Sequence, residues 1–318
     1  MTHPTRLRFL GASGAMLALA SPRLAIGQTL STIRVAAIPI EVSGAVYYAS
    51  DLGLFKKAGI DLELTSMGSG AAVAPSVSSG AMDIGSSNFI SLAQAHERGI
   101  PFLMVAPSGM YTSKSPPTQL LVAKNSPLKT AGDLSGKIVG IASLNNIGQI
   151  TVCAWVDKNG GDYKAVKFIE IPLAQMGVSL AAGRVDAIEI ADPFLSLALA
   201  SGEARIFAPD GDAIGAEWVE GGYFCTIDYA KRNVAVLRKF AGVIAEAGRW
   251  ANAHPDAASQ ILLKFSKAEP RKTMFHTVFP DRFKPADAQP MIDAAAKYGA
   301  LKASFPSADM MDTEALIQ

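Results

Sequence analysis

At 318 residues, 49% hydrophobic and 18% charged, the chain carries enough apolar surface for two domains with sizeable cores. A formal net charge of +1 gives no electrostatic basis for binding nucleic acid or an anionic membrane surface. The two cysteines, Cys153 and Cys225, cannot build a disulfide framework and have no metal-ligand spacing.

The first residues read as a targeting segment. Arg6 and Arg8 precede an apolar run from Phe9 to Ala20 that is too short to span a bilayer. Small residues follow, so residues 1–27 are expected to be a signal peptide, cleaved after Ala25-Ile26-Gly27, leaving a mature periplasmic protein that starts at Gln28. From there the chain alternates. Ile33 to Ile38 is a predicted strand stopped by Pro39, and Ser43-Gly44 leads into a helix expected over 45–58 with Gly59 behind it. Asp61 to Thr65 alternates as a strand does, and Gly68-Ser69-Gly70 opens a second helix. Met82 to Ser86 is a third strand; Ser87-Asn88 turns into a helix from Phe89 to Arg98. Strands follow at Phe102 to Ala106 and Gln119 to Ala123.

The same grammar then repeats. Ile138 to Ala142 is a strand, Ser143 to Asn146 a polar turn, and Ile147, Ile150, Cys153 and Ala154 recur at helical spacing with Asn146 placed as N-cap. Gly80-Ala81-Met82-Asp83 is echoed by Gly183-Arg184-Val185-Asp186, and Lys57-Ala58-Gly59 by Lys158-Asn159-Gly160. Matching offsets point to two lobes of one design. Gly221 to Ile227 reads as a return strand, and three helices follow. The expected fold class is α/β: two lobes, each a mostly parallel sheet flanked by helices, joined by two hinge crossings. The expected division is 28–119 for the first part of lobe 1, 120–222 for lobe 2, and 223–318 for the return strand and the completion of lobe 1.

Residues Tyr48 to Glu63, Ser79 to Gly85, Asp133 to Lys137 and Gly183 to Ala187, with Ala191-Asp192-Pro193-Phe194, resemble type II periplasmic solute-binding proteins of ABC importers. The nearest branch by these motifs serves sulfonates, taurine, nitrate and thiamine-precursor pyrimidines. The resemblance implies a monomer that captures a small-molecule ligand and delivers it to an ABC permease in the inner membrane, with no cofactor, no metal and no nucleic-acid partner. It also implies ligand contacts in four turns. These hold Ser43 and Gly44, Gly68 and Ser69, Ser87 and Asn88, and Asn145, Asn146 and Gly148. Each turn has a physical case of its own, because small residues let backbone N–H groups approach a ligand and Ser or Asn adds hydrogen bonds. Asp192 replaces the Glu common before Pro-Phe in that family; it could accept a ligand N–H or cap the helix after it. Tyr47, Tyr48, Phe89 and Trp218 could stack on a flat ligand or fill the core.

Hydroxyl-rich turns and helix N-termini favour a sulfonate, a carboxylate or a related anion, although no arginine falls in the four turns. No nucleophile elbow, P-loop or dinucleotide fingerprint is present, so the protein is not expected to be an enzyme. Two alternatives use the same cleft. One is a carbon–sulfur bond hydrolase with a cysteine nucleophile, as in some proteins of this fold; the other is a periplasmic receptor for a sensor.

Overall fold

A computed structural model describes residues 30–100, 102–267 and 275–311, together with Met1. The expected signal peptide lies outside the described residues. Among those described, no helix is long and apolar enough to cross a membrane.

The first half runs β1 (Ser31–Ala37), α1 (Gly44–Asp51), α2 (Leu54–Lys57), β2 (Ile60–Ser66), α3 (Gly70–Ser78), β3 (Ile84–Asn88), α4 (Phe89–Glu97) and β4 (Phe102–Pro107). The short strand β5 (Met110–Thr112) leads across to β6 (Thr118–Ala123), β7 (Ile138–Ile141), α5 (Ile147–Lys158), β8 (Lys167–Glu170), α6 (Leu173–Ala181), β9 (Ala187–Ala191), α7 (Phe194–Ala200) and β10 (Ala204–Ala208). The chain returns through β11 (Glu217–Val219) and β12 (Gly221–Thr226), then closes with α8 (Ile227–Arg232), α9 (Val234–Ala253), α10 (Pro255–Ser266), α11 (Pro285–Lys297) and α12 (Ala308–Met311).

One sequence expectation is corrected here. The helix expected over 45–58 is two helices, because Gly53 sits at φ 69° and interrupts the ladder between α1 and α2. Glycine reaches that left-handed region without the steric cost a side chain would incur.

The two sheets have one topology. The first is ordered β2-β1-β3-β12-β4 and the second, from its other edge, β8-β7-β9-β6-β10. In each, four strands run in one direction and the fourth in order runs against them, β12 in the first and β6 in the second. Those two opposed strands are the ones that arrive from the other half of the chain. The repeated aspartates explain the sequence echo. Asp83 Oδ2 accepts the Arg34 N–H at 2.9 Å in the middle of β1, one residue before the ladder to β3 begins. Asp186 Oδ2 accepts the Ile138 N–H at 2.8 Å at the start of β7. Each carboxylate supplies a partner to the N–H one position before the ladder to β3 or β9 begins.

Helices cover both faces of both sheets. Leu237, Phe240, Val243, Ile244 and Ala247 of α9 pack with Ile33, Val35 and Ile84 on one face of the first sheet. Ala288, Met291, Ile292 and Ala295 of α11 join Phe89, Ile90 and Phe224 on the other. In the second sheet, Val152 and Val156 of α5 cover one face and Met176, Leu180 and Leu195 the other. The two crossings are zipped together as an antiparallel pair, with Tyr111 opposite Trp218. The rings of Tyr111 and Trp218 stack at 5.1 Å and 14°.

Candidate functional site

A cleft lies where the carboxyl ends of the parallel strands of the two sheets face each other, the place where open α/β sheets hold ligands. Its empty volume is about 710 Å³ including the mouth, within the ordinary range for small-molecule sites. From the first half the wall takes Ile38, Ile40, Val42 and Ser43 after β1, Gly68 to Gly70 before α3, and Ser87 and Asn88 at the end of β3. From the second it takes Ala142 and Ser143 after β7, Asn146 to Gly148 at the start of α5, and Leu173, Glu189 and Ala191. Ser108 and Thr118, at the two ends of the outgoing crossing, and Glu220 and Gly221, from the returning one, complete it.

The structure therefore gathers Ser43, Gly68, Ser69, Ser87, Asn88, Asn146 and Gly148 around one space. Gly44, Asn145 and Asp192 are not on its wall. Gly44 begins α1, where a Cβ would overlap the Tyr48 hydroxyl, and that hydroxyl donates to Glu41 Oε2 at 3.0 Å. Asn145 holds φ 52° in the turn; its N–H donates to Gln149 Oε1 at 2.7 Å and its carbonyl accepts from Gln94 Nε2 at 2.8 Å. Both carboxylate oxygens of the fully buried Asp192 are used inside the protein: Oδ1 accepts the Ser196 N–H at 3.0 Å and Oδ2 the Phe275 N–H at 2.8 Å. Burial still pushes this carboxyl up to about 7. Asp192 thus works as a helix-start acceptor and a tie to the C-terminal segment. Tyr47, Tyr48, Phe89 and Trp218 are core residues, each 0% exposed and none on the wall.

The polar groups that remain divide into capped and open. Asn88 Oδ1 caps α4 by accepting the Ser91 N–H at 3.0 Å. Asn146, in the N-cap position of α5, accepts the Ile147 N–H at 2.7 Å and donates through Nδ2 to Ser91 Oγ at 3.0 Å. Ser91 and Gln94, both on α4, therefore reach across the cleft to the turn before α5. Farther out, Lys297 Nζ and the Tyr298 hydroxyl both reach Asp157 Oδ2 on α5, at 2.8 and 2.9 Å. The Ser87 hydroxyl is buried with no partner among the described residues.

Sequence reasoning missed Glu189 and Glu220. Both are buried, at 6% and 4% exposed. Burial and neighbouring carboxyls hold Glu189 well above the ordinary range and push Glu220 up to about 8. The signal for Glu189 was available: one acidic residue stands in the apolar run Ala187-Ile-Glu-Ile-Ala191, where a fully buried strand has no solvated face for a charge. Gly148 leaves room for that carboxyl, because a Cβ there would overlap it. No lysine, arginine or histidine lines the cleft among the described residues. The described histidines are occupied elsewhere: His96 packs on Phe305, and His254 on Trp250. His276 lies 3.7 Å from Glu41, which raises its pKa.

Both cysteines are free and buried, Cys153 in α5 and Cys225 in β12, away from the cleft wall. Burial pushes each thiol up to about 12. A thiol so held is protonated near neutral pH and a poor nucleophile.

Residues 41–258, more than half of the chain, match the family described as NMT1/THI5 like. The chain belongs to that family. A protein of Escherichia coli (strain K12) named for aliphatic sulfonate binding is 25% identical to this NMT1/THI5 like chain over 185 residues, 58% of it and 56% of that relative. The chain thus spans little more than half the length of the curated relative it matches. In fold it resembles the periplasmic nitrate-binding protein NrtA from Synechocystis PCC 6803, with a TM-score of 0.75 at 14% identity over 89% of this chain and 85% of that one. It also resembles the desulfurization enzyme DSZB, with a TM-score of 0.64 at 14% identity over 90% of this chain and 97% of that one. The architecture of this NMT1/THI5 like protein is that of the periplasmic binding proteins, two mostly parallel sheets flanked by helices.

Proposed function

We propose that the protein is the solute-binding component of an ABC importer, taking one small organic molecule in the cleft and handing it to a permease. The observation that carries this reading is the cleft itself. It lies between two sheets of one topology, lined by three helix starts and bridged by hydrogen bonds from α4 to the turn before α5. The lobes are residues 28–119 with 223–318, and 120–222. A ligand touching both binds the closed form more tightly, and that difference drives closure. The N–H groups at the starts of α3 and α5, with Ser43, Ser69, Ser87 and Asn88, suit the acid end of a sulfonate or carboxylate. The names of the sulfonate- and nitrate-binding relatives support that class. The protein acts as a monomer, in the periplasm, after loss of residues 1–27. The intact mass of chain recovered from that compartment should begin at or near Gln28; full-length chain in the cytoplasm would count against export.

Closure supplies the main test. Ser91→Ala with Gln94→Ala removes two hydrogen bonds across the cleft, each worth about 0.5–1.5 kcal/mol. The closed form should lose about 5- to 150-fold against the open one. Small-angle scattering of the ligand-free variant should then report a larger radius of gyration than wild type. An unchanged scattering curve would mean that these bonds do not hold the lobes together. The hydrolase reading has no support from the cleft, since neither cysteine reaches it and both thiols are held protonated.

A further inference from the structure

Glu189 and Glu220 come to the cleft from different elements, one from β9 in the second sheet and one from the crossing between β11 and β12. Glu220 Oε1 is buried with no hydrogen-bond partner among the described residues. Asp210, in the turn at 210–213, stands behind them; its carboxyl oxygens are outside hydrogen-bond geometry, although the Thr151 hydroxyl and the Leu120 N–H are near enough to lower its pKa against burial. The nearby Thr151 hydroxyl donates instead to the Gly148 carbonyl at 3.2 Å. Burying a carboxyl oxygen without a partner is costly, and Glu220, on the cleft wall beside Glu189, leaves that partner to be supplied from outside the chain. A divalent metal is a poor candidate, because no group of three His, Cys, Asp or Glu among the described residues could hold one. Ile38, Ile40, Ile147 and Leu173 make the neighbouring wall apolar, which suits an organic body.

We infer that the ligand carries a basic nitrogen, an alkylammonium or amidinium group, and that this group docks against Glu189 and Glu220. This rests on the solute-binding reading above and narrows it. Any acid group on the same molecule would face the helix starts, and the unpartnered Ser87 hydroxyl adds a hydrogen bond between the two ends. The inference has a signature in pH. The titratable groups facing Glu220 are Asp210 and Glu189, and no cation lies on the wall. An empty site therefore holds Glu220 protonated near neutral pH, and a docking cation drives that proton off. Affinity for a cation rises between about pH 6 and 8, where an alkylammonium stays charged. An anion bound at this wall would need the protonated carboxyls as donors, and its affinity would fall over the same range.

The experiment is a thermal-shift panel on the purified protein, followed by calorimetry of whichever probe binds. The pairs are propionate with β-alanine and ethanesulfonate with aminoethanesulfonate; propylamine and benzamidine are cations without an acid. The amino-bearing or cationic probes should raise Tm more than the acid-only ones, since a ligand of the native state stabilises it. Calorimetry in two buffers should show proton release. Glu220→Gln, which preserves shape, should weaken that probe by about tenfold or more. If acid-only probes bind as well as their amino partners, with proton uptake and no loss in Glu220→Gln, this inference is overturned and the solute-binding reading stands. Silence from every probe counts against the solute-binding reading itself and removes this inference with it.

Discussion

Glu220→Gln should raise the stability of the ligand-free protein at about pH 9, by on the order of 4 kcal/mol, and leave it nearly unchanged at about pH 4. The side chain is buried, and its carboxyl is pushed up to about 8 from an ordinary 4.5. The folded state thus keeps a proton that the unfolded chain has already lost. By linkage, stability is full below the unfolded value, declines as pH rises between the two, and is flat again above the folded value. Glutamine has nothing to titrate, so this decline disappears in the variant. Asp210, pushed up to about 6, and Asp192, up to about 7, act with the same sign at lower pH. The variant should therefore lose Glu220's share of the slope between about pH 4.5 and 8 and keep the shares of Asp210, Asp192 and the likewise raised Glu189. Urea unfolding of both proteins at three pH values measures the difference, and parallel curves would mean Glu220 ionises freely in the folded protein.

The second large effect should come from Trp218→Ala. This indole is 0% exposed, stacks on Tyr111 and donates through Nε1 to the Gly211 carbonyl at 3.2 Å. It sits in the paired crossings between the two sheets. Removing it leaves a cavity and an unmatched carbonyl, at a cost of about 3–5 kcal/mol. The loss should also loosen the lobes, because β5 and β11 are held to each other by only three residue pairs. Trp218→Phe keeps the stack without the hydrogen bond and should cost about 1–2 kcal/mol. Equal losses in the two variants would place the effect in the hydrogen bond, with the ring packing contributing little.

Several features follow from the sequence alone. The alternation of short apolar runs with helical spacing is local, and it specified two α/β units. The Gly80 and Gly183 motifs announced their equivalence because each ends in an aspartate whose carboxylate holds a backbone N–H of the neighbouring strand. The turn at Asn146 was legible as a helix start, since an N-cap is written within a few residues.

What only the tertiary structure decided depends on pairs far apart in the chain. Spacing could not distinguish Asn145 from Asn146; one turns inward beside the cleft and its neighbour bonds to Gln149 and Gln94, by a difference in φ. Nor could it tell that Asp192 faces Phe275, 83 positions away, instead of the ligand space. The convergence of Ser87, Glu189 and Glu220 on one cavity was likewise unreadable. They lie on a strand of one sheet, a strand of the other and the crossing between them. No local pattern carries information about which side chains meet when two sheets are folded face to face.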